Sequence, residues 1–246
     1  MLKQLWRLLA LALLGVLALQ LYFAGRIALM NWLAPQSTSF QRSEMARIAT
    51  EKHQLLWSQD WVDRDQISPN LRRAVIASED AGFADHSGVD WDALEKAWDK
   101  NQREQARVDK RVARNPAAPT KPVAKVVGGS TITQQLAKNL FLSSERNLVR
   151  KGQEFLITFM LEGLLSKRRI LEIYLNNVEW GEGVFGAQAA ARHYFHVDAK
   201  NLSANQAARL AVMLPAPKRF EKRPASPYVL ARAGTVEARM GAVELP

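Results

Sequence analysis

The chain has 246 residues, a formal net charge of +10 and an apolar share of 48%. That length fits one domain plus an appendage, and that apolar share excludes wholesale disorder. The absence of cysteine excludes disulfides, zinc–thiolate sites and thiol nucleophiles. A basic excess of this size points to nucleic acid, anionic headgroups or phosphate-bearing substrates, and charge alone does not choose among them.

The N-terminus narrows the choice. Residues 8–25 read LLALALLGVLALQLYFAG, an uncharged run just long enough to cross a bilayer core with help from its flanks. Lys3 and Arg7 precede it, Arg26 follows, and Tyr22 and Trp32 stand where interfacial aromatics belong. A cleaved signal peptide is the alternative, but the run exceeds a usual apolar region and no small-x-small cleavage site follows. Residues 1–32 are therefore expected to form an uncleaved anchor. The positive-inside rule leaves the N-terminus cytoplasmic and residues 33–246 outside, which weakens the nucleic-acid reading.

Residues 33–66 read as an ordered approach to the main domain, and Ser68-Pro69 then starts a helix, serine capping and proline at the first helical position. A second helix is expected from Trp91 to about Gln105. Residues 99–125 hold eight Lys/Arg against three acidic residues, with Pro116, Pro119 and Pro122 near the end, the composition of a mobile, solvated loop. Gly128-Gly129-Ser130 opens the helix TITQQLAKNLFL, and Ser143 or Ser144 is placed to cap a long helix running to about Leu165. Ser166 restarts a helix at KRRILEIYLNN. Gly181, Gly183 and Gly186 break the chain, residues 187–195 are again helical, and Ser203 with Gln206 forms a capping box for a last strong helix ending at Pro215. No run alternates as a strand does, so the domain is expected to be mainly α.

Helical spacing singles out Glu79. Leu71, Val75 and Glu79 fall at i, i+4 and i+8, which puts a carboxylate on the stripe that faces the core. A desolvated carboxylate binds its proton more tightly, as a general base or acid requires; the plainer alternative is that the helix ends there and Glu79 turns to water. Thr131, Gln135 and Lys138 line one face of the glycine-led helix and, with its free N–H groups, could hold a phosphate or sugar, or form an ordinary solvated face. It is not a P-loop, since the Gly-Lys-Ser/Thr ending is missing. Arg150 and Glu154 are four apart and can pair, and Glu162 lies two turns on. His53, His86, His193 and His196 show no metal-ligand spacing and read as structural hydrogen-bonders.

The literal strings go further. EDAGFADHSGVD at 79–90, GGSTITQQLAKNLF at 128–141, RKGQE at 150–154, SKRRILEIYLNNVEWG at 166–181 and the later ARLAVMLPAPKRF resemble, in order, motifs of the bacterial peptidoglycan glycosyltransferases. The resemblance covers about residues 60–230. Its single-function members, the monofunctional biosynthetic transglycosylases, are the nearer match, because no penicillin-binding transpeptidase domain follows within this length, and no transpeptidase activity is expected.

That resemblance implies a lysozyme-like, mainly α lobe with a small mobile lobe close to the membrane. It implies polymerisation of lipid II into β-1,4-linked glycan, with inversion and release of undecaprenyl diphosphate, in cell wall biogenesis. By motif, Glu79 is the general base on the acceptor hydroxyl and Glu154 the second essential carboxylate. Lys138 and Arg150 offset charge on the departing pyrophosphate, Thr131 and Gln135 hold donor sugar or phosphates, and Asp80, Phe83 and His86 shape the site. No cofactor is required by the sequence; a divalent cation, magnesium or manganese, suits the pyrophosphate, but no dedicated ligand set is visible. The implied partners are lipid II, the lipid-linked strand, the membrane and other cell-wall synthesis or division proteins, with no nucleic acid, and the implied location is a bacterial inner membrane with the catalytic domain in the periplasm. Two alternatives remain: a lysozyme-like lytic hydrolase, which would not need the cationic set, and an inactive scaffold of the cell-wall machinery. The basic 99–125 stretch is longer than the usual connection between the first two motifs.

Overall fold

A computed structural model describes residues 2–53, 56–114, 128–143, 145 and 147–246. The apolar N-terminal run forms one continuous helix, α1 (Leu2–Leu29), longer than the run itself because Lys3, Gln4 and Arg7 are good helix formers. Its residues to Leu19 are exposed, whereas Phe23, Ile27 and Met30 are buried against the domain. It is long and apolar enough to cross a membrane, which suggests a single-pass anchor.

The approach segment contains a helix that the sequence reading left undivided, α2 (Ser39–Lys52), started by a capping box between Thr38 and Gln41. After β1 (Ser58–Gln59) comes α3 (Pro69–Glu79), capped by the Ser68 hydroxyl, which accepts from the Asn70 N–H as expected. The next helix, α4 (Trp91–Arg114), starts where the second helix was expected but runs past Gln105, correcting the expected loop. Residues 99–114 are helical because Lys96, Lys100, Arg103, Arg107, Lys110 and Arg114 recur at three- and four-residue spacing, so the charge run is one face of a helix. Residues 115–125 of that expected loop, with its three prolines, lie outside the described residues.

The glycine-led helix is α5 (Ile132–Phe141). The long helix α6 (Leu148–Leu164) is capped by Asn147, whose side chain accepts from the Arg150 N–H at 2.7 Å. That corrects the expected serine cap: Ser143 lies too far upstream, and Ser144 is outside the described residues. Then follow α7 (Lys167–Asn177), capped by Ser166, β2 (Glu179–Gly181), β3 (Val184–Phe185), α8 (Ala187–Phe195) and α9 (Ala204–Met213), which starts at the Ser203–Gln206 capping box. A short α10 (Pro217–Phe220) leads to α11 (Pro227–Met240), again a serine cap followed by proline.

The domain is mainly α, as expected, with one small sheet ordered β1-β3-β2, β1 parallel and β2 antiparallel to β3. The strands are two or three residues long, too short to show alternation. Gly183 allows the close approach: its φ is +74°, and a Cβ there would sit 2.2 Å from the Leu56 carbonyl oxygen. Two packed groups position the site. Helices α3, α9 and α11 pack on one another around Leu71, Val75, Leu210 and Val236, while α5 packs on α6 and α7 around Ile132, Leu136, Ile157 and Ile173. The end of α3 and the start of α5 meet where these groups adjoin.

Candidate active site

Glu79 is the last residue of α3 and is half-buried. The stripe read from the sequence is real, since Leu71 and Val75 are fully buried on the same face. One Glu79 oxygen, Oε2, accepts a hydrogen bond of 2.9 Å from Gln135 Nε2 on α5. The other end of that amide, Oε1, accepts at 2.9 Å from the hydroxyl of Tyr174 on α7, which is completely buried. The carboxylate fixes the amide's orientation, because a flipped Gln135 would turn an oxygen toward an anion. Burial pushes the Glu79 carboxyl above its ordinary range; the Gln135 hydrogen bond opposes that, and the neighbouring Asp80 charge adds to it. Such a group takes a proton more readily than a solvated carboxylate.

Asp80, the C-cap of α3, is buried and ties the first motif to the second. Its Oδ2 accepts from the Ile132 N–H at 2.9 Å, satisfying one of the open donors at the start of α5. Its Oδ1 lies 2.8 Å from His86 Nε2, and the Gly88 N–H donates to His86 Nδ1 at 3.1 Å. With Nδ1 accepting, the ring proton sits on Nε2, so His86 donates to Asp80. His86 is thus a brace, as its structural reading had it.

Gly88 has φ +87°, and a Cβ there would come within 2.7 Å of Glu162 Cγ and Thr158 Cγ2. Its carbonyl accepts from the Thr131 hydroxyl at 2.6 Å. Thr131 is buried, and the same hydroxyl accepts from the Gln134 N–H at 3.2 Å in the α5 capping box. The donor and one of the two acceptor lone pairs of that hydroxyl serve the loop and the helix cap, and Thr131 also borders the cleft. Phe83 is buried beneath the Lys167 ammonium, 4.5 Å from its ring centroid, and Lys167 bonds at 2.9 Å to Glu162, which also accepts from Thr133 at 2.5 Å.

An open cleft of about 370 Å3 lies beside Glu79, within the size range of small-molecule sites. Glu79, Asp80 and Asp90 supply its carboxylates, and residues 128–131 line one wall. Lys96 and Lys100 of α4 line another. The sequence reading did not single out these two lysines, although both fall within its expected helix from Trp91 to about Gln105. Gly129 allows this closeness: a Cβ there would be 3.1 Å from the Ala97 Cβ.

Lys138, Arg150 and Glu154 do not line that cleft. Lys138 is exposed one turn beyond Gln135 on α5. On α6, buried Glu154 accepts from Arg150 NH1 at 2.8 Å and pairs with Lys151 through its other oxygen, so one carboxylate organises two cations. The sequence reading found the first pairing and passed over Lys151. Among the described residues no group of three or more His, Asp or Glu is arranged to hold a metal ion. His53 and His196 are helix C-caps in the left-handed region, at φ 52° and 55°.

The sequence model of a family described as Transglycosylase matches residues 45–241. A protein of Paraburkholderia phytofirmans named biosynthetic peptidoglycan transglycosylase is 50% identical over 231 residues, covering 94% of this chain and 88% of its own. Proteins of the same name from Burkholderia pseudomallei and Cupriavidus pinatubonensis are 52% and 51% identical, again over 94% of this chain and over 83% and 87% of theirs. The motif strings therefore sit within a similarity spanning nearly the whole sequence, and the chain belongs to the transglycosylase family.

Proposed function

We propose that the chain is a peptidoglycan glycosyltransferase that polymerises lipid II into β-1,4-linked glycan, with inversion at the donor carbon and release of undecaprenyl diphosphate. The observation that carries this reading is the desolvated Glu79 carboxylate, held at the edge of an open cleft by Gln135 and the buried Tyr174. Glu79 takes the proton of the acceptor hydroxyl as that oxygen attacks the donor carbon. Its raised proton affinity suits the task, because a base matched to working pH transfers protons most effectively.

The departing pyrophosphate gains negative charge as the glycosidic bond breaks. Arg150, and Lys138 on α5, stabilise that charge, with Lys151 beside Arg150. Glu154 holds the α6 pair in place and keeps its own charge compensated. Gln135 orients the base, so its role is in positioning Glu79 as much as in touching sugar or phosphate. Asp80, His86 and Phe83 hold the loop that sets the base against α5. The anchor is read as spanning the inner membrane with its N-terminus cytoplasmic, which places the domain beside lipid-linked substrate in the periplasm. The basic α4 face suits anionic headgroups or substrate phosphates in the same place.

The test supplies fluorescent lipid II to the full chain purified in detergent, with products resolved on a gel. A ladder that lysozyme digests supports the proposal. Absence of polymer across detergents and divalent cations would move the reading to a scaffold, and shortening of preformed glycan would move it to a hydrolase.

A further inference from the structure

Gln20 is the one amide in the apolar run of residues 8–25, and it lies six residues before Arg26. Along a helix that is about 9 Å inside the charged end. A lone amide at that depth is costly, since hydrocarbon offers it no partner. Its partner is Gln153 of α6: Gln20 Nε2 donates to Gln153 Oε1 at 3.0 Å, and Gln153 Nε2 donates back to Gln20 Oε1 at 2.9 Å.

The pairing also fixes a register. Further along, the Asn31 side chain donates to the Leu164 carbonyl at 3.0 Å, so both contacts join residues 133 apart in sequence. Helices α1 and α6 therefore run side by side in the same direction, and Arg150 to Glu154 stand level with residues 17–21 of the anchor. Phe23 and Ile27 of α1 are buried, and Phe23 packs edge-on against Phe141 of α5 at 5.2 Å. Across α6 from the charges, Leu148, Leu156 and Phe159 form an exposed apolar stripe, 90%, 49% and 48% accessible.

We infer that the Gln20–Gln153 pair sets the depth at which α6 presents Arg150 and Lys151 to a lipid-linked pyrophosphate, so the anchor forms one wall of that site. This rests on the function proposed above. The substrate's pyrophosphate is bonded to a polyprenyl chain and stays at the boundary between acyl chains and headgroups. Cations that meet it must reach that boundary: the Arg150 and Lys151 side chains extend toward Glu154, in the direction of the end of α6 nearer Arg26, and the interhelical amide pair fixes the depth from which they reach. Gln20 and Gln153 are positioning residues that act through α6.

The test uses the full chain in vesicles of phosphatidylethanolamine and phosphatidylglycerol with fluorescent lipid II. Gln20→Leu extends the apolar run, so it anchors at least as well as the parent and isolates the pairing. Gln20→Leu, Gln153→Leu and the double variant are each expected to raise KM about fivefold or more, with kcat within about twofold, and the double to match the singles. Because the chain has no cysteine, Gln20→Cys with Gln153→Cys places two unique thiols. A short bis-maleimide should link them, as read by mass spectrometry of the joined peptides, and should restore KM toward the parent value. An unchanged KM in the leucine variants, or no linked peptide, overturns the inference while leaving the function standing. A parent chain that makes no polymer overturns the function, and this inference with it.

Discussion

Asp80→Asn is the sharpest test of how the first two motifs are joined. Both groups that meet the Asp80 carboxylate are donors: the Ile132 N–H at 2.9 Å, and His86 Nε2 at 2.8 Å with its proton placed there by the Gly88 N–H on Nδ1. An asparagine offers one acceptor and one donor, so one of the two donors must face an N–H. A ring flip or change of tautomer would only move the conflict to Gly88. A buried donor without an acceptor costs about 1–3 kcal/mol, and the bond that survives loses its charge assistance, about 1 kcal/mol more. The expected destabilisation is therefore about 2–4 kcal/mol. For a chain of this size that is a fall in Tm of about 4–16 °C, read by near-ultraviolet circular dichroism in detergent. Loss of the Asp80 charge also lowers the proton affinity of Glu79, so the acidic limb of the pH–rate profile should move to lower pH. A change in Tm below about 2 °C, with the limb unmoved, would refute the two-donor geometry.

Three further outcomes are expected. Gly88→Ala places a residue with a Cβ at φ +87° and pushes it within 2.7 Å of Glu162 and Thr158, so it should cost about 2–4 kcal/mol in thermal unfolding from backbone strain and overpacking together. Gln135→Leu removes the one hydrogen bond that lowers the Glu79 proton affinity; initial rates of lipid II polymerisation should show an acidic limb displaced to higher pH. Glu179, buried beside Lys218 and Glu44, has its carboxyl pushed from 4.5 up to about 7, chiefly by burial. The folded chain then holds a proton that the unfolded chain releases, so stability is full below about pH 4.5 and declines as pH rises through about 7. Glu179→Gln should accordingly gain about 1–3 kcal/mol at pH 8 and little at pH 4.5, measured as the difference between paired melts.

Most of the site's local framework was legible because it is written in short-range chemistry. Ser68-Pro69, Ser166 and Ser203 with Gln206 cap helices as read, and the i, i+4, i+8 spacing of Leu71, Val75 and Glu79 puts the carboxylate where three-dimensional burial raises its proton affinity. Some signals were present but read otherwise. Thr131 and Gln134 form the same capping box as Ser203 and Gln206, and Thr38 with Gln41 forms a third. Ser226-Pro227 repeats the signal that starts α3 and starts α11. In α4, a helix was expected only to about Gln105 because the composition of 99–125 suggested a loop, while cations spaced three and four apart carry the helix on to Arg114, Lys and Arg being good helix formers. Other features had no local signal. The contact of Tyr174 with Gln135 joins residues 39 apart, and Gln20 meets Gln153 across 133 residues. Such links depend on how helices pack, which periodicity within one helix does not determine.

The most direct test of Glu79 as the base compares kcat/KM for lipid II polymerisation by the parent chain and by Glu79→Gln, across pH and with folding checked by circular dichroism. Loss of general-base catalysis should lower the rate about 10²–10⁴-fold and abolish the acidic limb, leaving the melting behaviour intact. A variant within about tenfold of the parent, with the same pH profile, would contradict the account and send the search for the base to another group lining the cleft.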